Sequence, residues 1–378
     1  MRIKNISLKN YRNIESANIE FSNGINILIG ENANGKTNAV EAIYQFAQGK
    51  SFRTKNNIES ISFGKEMCDL ALEFVSDKTG RSGSMNIKLY TDKKKMFYYN
   101  NAALKKVVEF IGNFRAVLFT PDHLGLVKGS PEMRRKFIDM AISQIKPVYL
   151  SYLIDCNRIM AQRNHLLKHI RQTGESEEKL KQFHIWTKNF AKYSAAITRY
   201  RGEYIERLKE IVPGFYNGLS NGREGIKLSY VSNINKYNFD FKDFHDFEMC
   251  EGLYGEVFSA GGKNELAAGT TLYGPQRDDL YIEIDDKSAR GIASQGQQRS
   301  AVLALKLAEG DISKISHGEY PVFLLDDILS ELDHSRQDFV LKNLTDRQVI
   351  ITCCNSELLK DIHISKMICV ENGKFKFI

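Results

Sequence analysis

Residues 25–37 read INILIGENANGKT, and the fold is decided there. Ile25-Asn26-Ile27-Leu28-Ile29 reads as a short buried strand, and the segment from Lys36 onward reads as a helix. Between them, Gly30 to Thr37 matches G-x-x-x-x-G-K-[ST], flanked by the strand and helix that this motif requires. Glycines let such a loop wrap a phosphate without Cβ clashes. Successive backbone N–H groups then point inward, and the N-terminal end of the helix adds partial positive charge. Gly30, Glu31, Asn32, Ala33, Asn34, Gly35, Lys36, Thr37 and Asn38 are therefore the expected nucleotide-binding residues. Lys36 would reach the β- and γ-phosphates, and Thr37 would place its hydroxyl on Mg²⁺.

The second half of such a site is an acidic residue at the end of a buried strand. VFLLDD, 322–327, supplies it. Asp326 follows four apolar residues and would hold the Mg²⁺ through water, while Asp327 would orient or deprotonate the attacking water. Asp327 also suits a helix cap, because a helix can start from Leu329 onward.

Working outward, the first region, 1–130, is rich in strand signals: Met1 to Leu8, Leu70 to Val75, Met85 to Tyr90, Lys95 to Tyr99, and Ala116 to Phe119, stopped by Pro121. The second, 131–265, is mostly helical. Pro131 suits the first turn of a helix capped by Ser130, and a longer helix is expected from Ser176 to Val212, ended by Pro213-Gly214. Apolar Leu180, Phe183, Trp186, Phe190, Tyr193 and Ile197 fall on one face of it. Residues 214–262 give no clear element. The third region, 266–378, returns to strands and helices, with Leu280 to Ile284, Val322 to Leu325 and Val349 to Ile351 as strands. The expected fold class is α/β: one parallel or mixed-sheet domain built from both ends of the chain, with a helical domain inserted between.

Composition bounds the partners. Of 378 residues, 42% are hydrophobic and 26% charged, enough for one large core or two smaller ones. A net charge of +7 permits a nucleic-acid partner without requiring one. The six cysteines form no C-x-x-C pair, and a disulfide framework is not expected in a chain of this length without secretory features. MRIKNISLKN lacks the apolar stretch of a signal peptide. No run approaches the roughly 18 apolar residues of a membrane helix. A cytoplasmic protein with no membrane partner is expected.

Residues 294–300, SQGQQRS, lead straight into Ala301-Val302-Leu303-Ala304-Leu305. If Ser294 caps a helix running from about Gln297, its hydroxyl and the free first-turn amides face outward as a second anion site. The P-loop already has its own phosphates, so this ligand must come from elsewhere. SQGQQ, VFLLDD and LSELD, in that order behind a split P-loop domain, resemble an ABC-type ATPase head. The resemblance narrows further. KNYRNI (9–14), GENANGKTN (30–38), SFRT (51–54), FTPDHLGLVKGSPEMRRKFID (119–139), QRNHLL (162–167), GPQRDDL (274–280), SQGQQRS and LLDDILSELD (324–333) resemble the bacterial RecF family.

That resemblance implies an ABC-type P-loop ATPase head with an inserted, mostly helical arm or lid domain. It implies ATP and Mg²⁺ as cofactors and an ATP-dependent homodimer, in which Ser294, Gln295, Gly296 and Gln297 act in trans on the nucleotide held by the partner's Lys36. By the same resemblance the chain is a weak, DNA-stimulated ATPase of replication, gap repair and SOS induction, working with RecO and RecR. Asp327 stands where the wider class has glutamate, which implies slow hydrolysis. Thr352 and Cys353 follow the last core strand where that class has a histidine, which leaves the γ-phosphate sensor open. Arg12 and Asn13 follow the first strand, where they either approach the nucleotide or form a surface turn.

Phosphate contacts need Lys and Arg but no sequence code. Lys93, Lys94 and Lys95, interleaved with aromatics, and Arg134, Arg135 and Lys136 are the candidate DNA-binding residues, with Arg158, Arg163, Lys168 and Arg171 further along the helical region. No helix-turn-helix or zinc-finger pattern is present, so sequence-independent binding is expected. Arg277 is expected to pair with Asp278 or Asp279. A nucleotide-binding subunit of an ABC transporter is the alternative reading. The long helical insertion between Thr37 and Ser294 weighs against it.

Overall fold

The computed structural model describes residues 1–232, 246–354 and 363–378. Its contacts divide the chain into two units. The first is Met1–Leu124, Val212–Gly225 and Ser294–Ile378; the second is Gly125–Ile211 and Ile226–Ala293.

Two sheets build the first unit. One is antiparallel, in the order β2-β1-β4-β5-β6-β7. It comprises β1 (Arg2–Tyr11), β2 (Ile14–Glu20), β4 (Met67–Val75), β5 (Ser82–Tyr90), β6 (Met96–Tyr99) and β7 (Ala102–Leu104). Burial alternates along β4 and β5, as it must where one face of a sheet is solvated. The other sheet comprises β3 (Ile25–Ile29), β8 (Ala116–Phe119), β12 (Val322–Asp326), β13 (Val349–Cys353), β14 (Lys366–Glu371) and β15 (Lys374–Phe377). Its order is β15-β14-β3-β13-β12-β8, and all neighbours but β14 and β15 run parallel. Strands β8, β12 and β13 are buried at every position, which is why they read as unbroken apolar runs rather than alternations. Helix α1 (Lys36–Gln48) touches strands of both sheets.

The second unit holds α2 (Pro131–Ile145), α3 (Pro147–Thr173), most of α4 (Glu177–Ser220) and α5 (Phe247–Ala268). It also carries a three-stranded antiparallel sheet of β9 (Ile226–Val231), β10 (Asp279–Ile284) and β11 (Lys287–Ser288). Strand β9 lies in the stretch that gave no sequence signal. Because β10 pairs with β9 along its length, residues 266–293 group with the second unit rather than with the C-terminal region. In the first unit, α6 (Gln295–His317) and α7 (His334–Lys342) complete the helices used below.

Helix α4 corrects an expected boundary. It does not stop at Pro213 but runs through it to Ser220. An internal proline costs a helix about 3 kcal/mol. Here the following turns bury Tyr216 and Leu219 in the first unit, and Gly218 admits the Phe339 ring of α7, which an added Cβ would meet at 2.1 Å. Packing after the proline outweighs the lost hydrogen bond.

Candidate nucleotide site

The C-terminal ends of β3, β12 and β13 lie side by side, the usual place for ligands in a parallel sheet. From β3 the chain enters the loop 30–35. At Gly30 an added Cβ would sit 2.2 Å from the carbonyl oxygen of Val370, so only glycine fits beside β14. Gly35 takes φ +112° and caps α1 with no side-chain hydrogen bond, which leaves the first-turn amides for an anion. Lys36 is 7% exposed. Its Nζ donates to the carbonyls of Gly30 at 2.6 Å and Glu31 at 2.8 Å, folding the side chain back over the loop.

Thr37 and Asp326 meet. The Thr37 hydroxyl donates to Asp326 Oδ1 at 2.9 Å, and the Thr352 hydroxyl donates to the same oxygen at 2.9 Å. Burial pushes the Asp326 carboxyl above its ordinary pKa against the pull of these two hydroxyls, and the neighbouring Asp327 pushes the same way. A desolvated carboxylate next to a second carboxylate favours a cation. With a threonine hydroxyl in contact, these are the hard oxygen donors that Mg²⁺ selects. Asp327 is exposed, with φ +52°, its amide donating to Thr352 Oγ1 at 2.9 Å. Ser330 Oγ donates to the Asp327 carbonyl at 2.8 Å.

Arg12 and Asn13 differ from each other. Arg12 lies against Glu41, with Nη2–Oε1 at 2.7 Å and Nε–Oε2 at 3.1 Å, and its Nη1 donates to the Glu59 carbonyl at 2.7 Å. Its guanidinium is thus paired with a buried carboxylate. Asn13 does brace the loop: its Nδ2 donates to the Ala33 carbonyl at 3.0 Å, and Asn38 Nδ2 donates to its Oδ1 at 2.7 Å. Arg53, outside the phosphate-loop motif, donates to Asn38 Oδ1 at 2.7 Å and stands half-exposed beside Glu41. Thr352 stands in strand β13, beside the acidic strand end. Its place opposite Asp326 in the β12–β13 register, invisible in a linear pattern, is what brings it into the site.

The serine-led heptapeptide opens α6, two residues earlier than expected, at Gln295. Ser294 Oγ accepts from the Gln297 amide at 3.2 Å, and Gln297 Oε1 accepts from the Ser294 amide at 2.8 Å, a reciprocal cap. An added Cβ on Gly296 would stand 3.2 Å from Arg336 Nη2. Among the described residues no hydrogen bond joins Ser294, Gln295, Gly296 or Gln297 to residues 30–38. Ser294 and Gln295 are exposed.

The basic candidates divide. Lys93 and Lys94 are exposed, with Lys93 Nζ 4.0 Å over the Tyr90 ring. Lys95 is half-buried, donates to the Gly49 carbonyl at 2.7 Å, and is held below its ordinary pKa by burial and by Lys50. Lys136 is exposed. Arg134 is corrected: it is 3% exposed, and its guanidinium holds both Asp279 oxygens at 2.7 Å and the Gly129 carbonyl at 3.0 Å, leaving nothing for a phosphate. Arg135 donates to the Asp278 carbonyl at 2.6 Å. Arg163 is fully buried against Glu265, among the rings of Phe183, Phe190 and Phe258. Arg277 is corrected in the opposite sense. Arg134 takes Asp279 and Tyr230 takes Asp278, so Arg277 stands exposed with neither.

A P-loop, an acidic strand end and a serine-capped helix, gathered in one unit around an insertion, define an ABC-type P-loop ATPase head. A family profile described as the RecF/RecN/SMC N-terminal domain matches residues 2–376. The chain is 38% identical over 378 residues to the DNA replication and repair protein RecF of Ruminiclostridium cellulolyticum, covering 100% of this chain and 98% of that one. It is 37% identical over 379 residues to the RecF of Bacillus cereus strain G9842, covering 99% and 98%. The structure is similar to that of the recombination mediator protein RecF-ATPrS in the RecFOR pathway, with a TM-score of 0.90, 31% identity, and 100% and 98% of the chains covered. Against the Smc head domain bound to the C-terminal domain of ScpA, from Pyrococcus furiosus, the TM-score is 0.56 at 16% identity, a shared fold. The chain belongs to the RecF family. The transporter-subunit reading is not favoured.

Proposed function

We propose that the chain is an ATP-dependent DNA-binding protein of replication, recombinational gap repair and SOS induction. ATP lies on residues 30–38, with Lys36 released from the Gly30 and Glu31 carbonyls to the β- and γ-phosphates. Thr37 and, through water, Asp326 would hold Mg²⁺, which would supply positive charge beside the phosphates. Asp327 orients the attacking water and accepts its proton. Asn13 and Asn38 fix the loop, and Arg12 holds Glu41 beneath it. Ser294, Gln295, Gly296 and Gln297 complete the site of a second copy, so nucleotide joins two heads and slow hydrolysis parts them.

DNA is bound without sequence preference, through exposed cations such as Lys93, Lys94, Lys136 and Arg277. The cytoplasm is the expected location, and RecO and RecR are the expected partners in loading recombinase.

The observation that carries this reading is the contact of Thr37 with Asp326 at the end of the parallel strands. Size analysis with ATP, with ADP and without nucleotide, each with and without DNA, tests it. The expected outcome is a dimer with ATP alone or with ATP and DNA. Ser294→Arg should bind ATP and stay a monomer; a variant that pairs normally refutes the trans contact.

A further inference from the structure

Strands β12 and β13 pair in parallel with Asp326 opposite Thr352. Thr352 is 2% exposed and Asp326 5%. A hydroxyl carries one proton. That of Thr352 goes to Asp326 Oδ1, and its oxygen accepts the amide proton of Asp327. A single atom therefore holds the carboxylate of one aspartate and the backbone of the next.

That backbone needs holding. Asp327 sits at φ +52°, a left-handed conformation that side chains other than glycine's disfavour. Such strain persists where the surroundings enforce it, and it gathers at functional sites. Two hydroxyls enforce it here, Thr352 on the amide and Ser330 on the carbonyl. The turn takes the chain out of the strand and leaves Asp327 exposed while Asp326 stays buried.

We infer that Thr352 is a positioning residue for hydrolysis, fixing the direction of the water-orienting Asp327 relative to the metal-holding Asp326. The inference rests on the roles proposed above for those two aspartates. Thr37 binds the same Oδ1 from α1, so the two threonines lock one oxygen between strand and P-loop. Valine at 352 keeps the shape of threonine and removes the hydroxyl, whereas serine keeps the hydroxyl and removes the methyl.

The test measures ATP affinity with a fluorescent nucleotide, steady-state turnover, and thermal midpoint for wild type, Thr352→Val, Thr352→Ser and Asp327→Asn. Thr352→Val should bind ATP within about threefold of wild type while kcat falls about tenfold or more, a loss of roughly 1.4 kcal/mol per decade. Thr352→Ser should recover turnover to within about threefold. Wild-type kcat in Thr352→Val beside a slow Asp327→Asn overturns the inference alone, as does equal loss in the serine and valine variants. Full activity in Asp327→Asn instead removes the proposed role of Asp327, and the inference goes with it.

Discussion

Gln297 Nε2 donates to Glu224 Oε1 at 2.9 Å, and the Tyr216 hydroxyl holds the other carboxylate oxygen at 2.8 Å. Since Gln297 Oε1 is already bound to the Ser294 amide, both ends of that side-chain amide are fixed. The surface proposed to meet a partner's nucleotide is thus set by a residue just beyond α4. Hydrogen bonds to a charged group contribute about 1.5–3 kcal/mol. Glu224→Ala should leave ATP binding by single protomers intact and weaken nucleotide-dependent pairing about tenfold. Sedimentation with ATP across a concentration series measures this.

Lys36→Met and Asp327→Asn should fail in different ways. The first removes the charge proposed to meet the β- and γ-phosphates, so ATP affinity should fall about a hundredfold and no dimer should form. The second should keep ATP and lose the group proposed to orient water, so the dimer should persist. Gel filtration after incubation with ATP separates the two outcomes.

Gly30→Ala should disturb the loop through sterics alone. Its Cβ would sit 2.2 Å from a backbone oxygen of β14, and neither atom is on a flexible side chain. Overpacking of this kind costs about 1–3 kcal/mol. A lower thermal midpoint together with weaker ATP binding is expected. An alanine variant with both unchanged contradicts the geometry.

Arg277 and Arg134 belong to the same unit and should behave oppositely. Arg277→Ala leaves stability unchanged, weakens DNA binding on every sequence, and lowers the slope of log affinity against log salt by about 1. Arg134→Ala strips the partner from Asp279 and lowers the melting temperature. Salt titrations of DNA affinity beside thermal melts distinguish them.

Acid should destabilise the first unit through Glu319. Burial alone would raise this carboxyl, but the Met1 amine, the Ser76 hydroxyl, the Lys78 amide and Arg115 together hold it below its ordinary value. A carboxyl with a depressed folded-state pKa contributes stability above its unfolded value, near ~4.3, and loses it as pH falls through the folded one. Glu319→Gln should therefore melt earlier than wild type at pH 7, and the gap should close as pH drops below about 4. A gap that stays constant across that range contradicts the assignment.

The P-loop and VFLLDD were legible because their chemistry is contiguous and their strands are buried on both faces. Helix α6 was legible because Ser294 and Gln297 form a local cap. What the sequence hid was carried across long separations. Strand β9 pairs with β10 across the whole of α5, and Thr352 reaches Asp326 only through strand register. Arg134 looked like any surface cation beside Arg135 and Lys136 until Asp279 was brought to it. Pro213 looked like a stop because its cost is local while the burial of Tyr216 is not.

Strand β3 lies between β13 and β14, both encoded far downstream of it. At a ribosomal rate of about 5–20 residues per second, roughly 300 residues and some tens of seconds separate synthesis of the loop strand from that of its neighbours. Through that interval Ile25–Ile29 is an unpaired apolar edge, open to mispairing and to chaperones. The nascent chain therefore has no complete nucleotide cradle until β13 and β14 have been made. A truncated translation product carries the phosphate loop without the sheet that gives it shape.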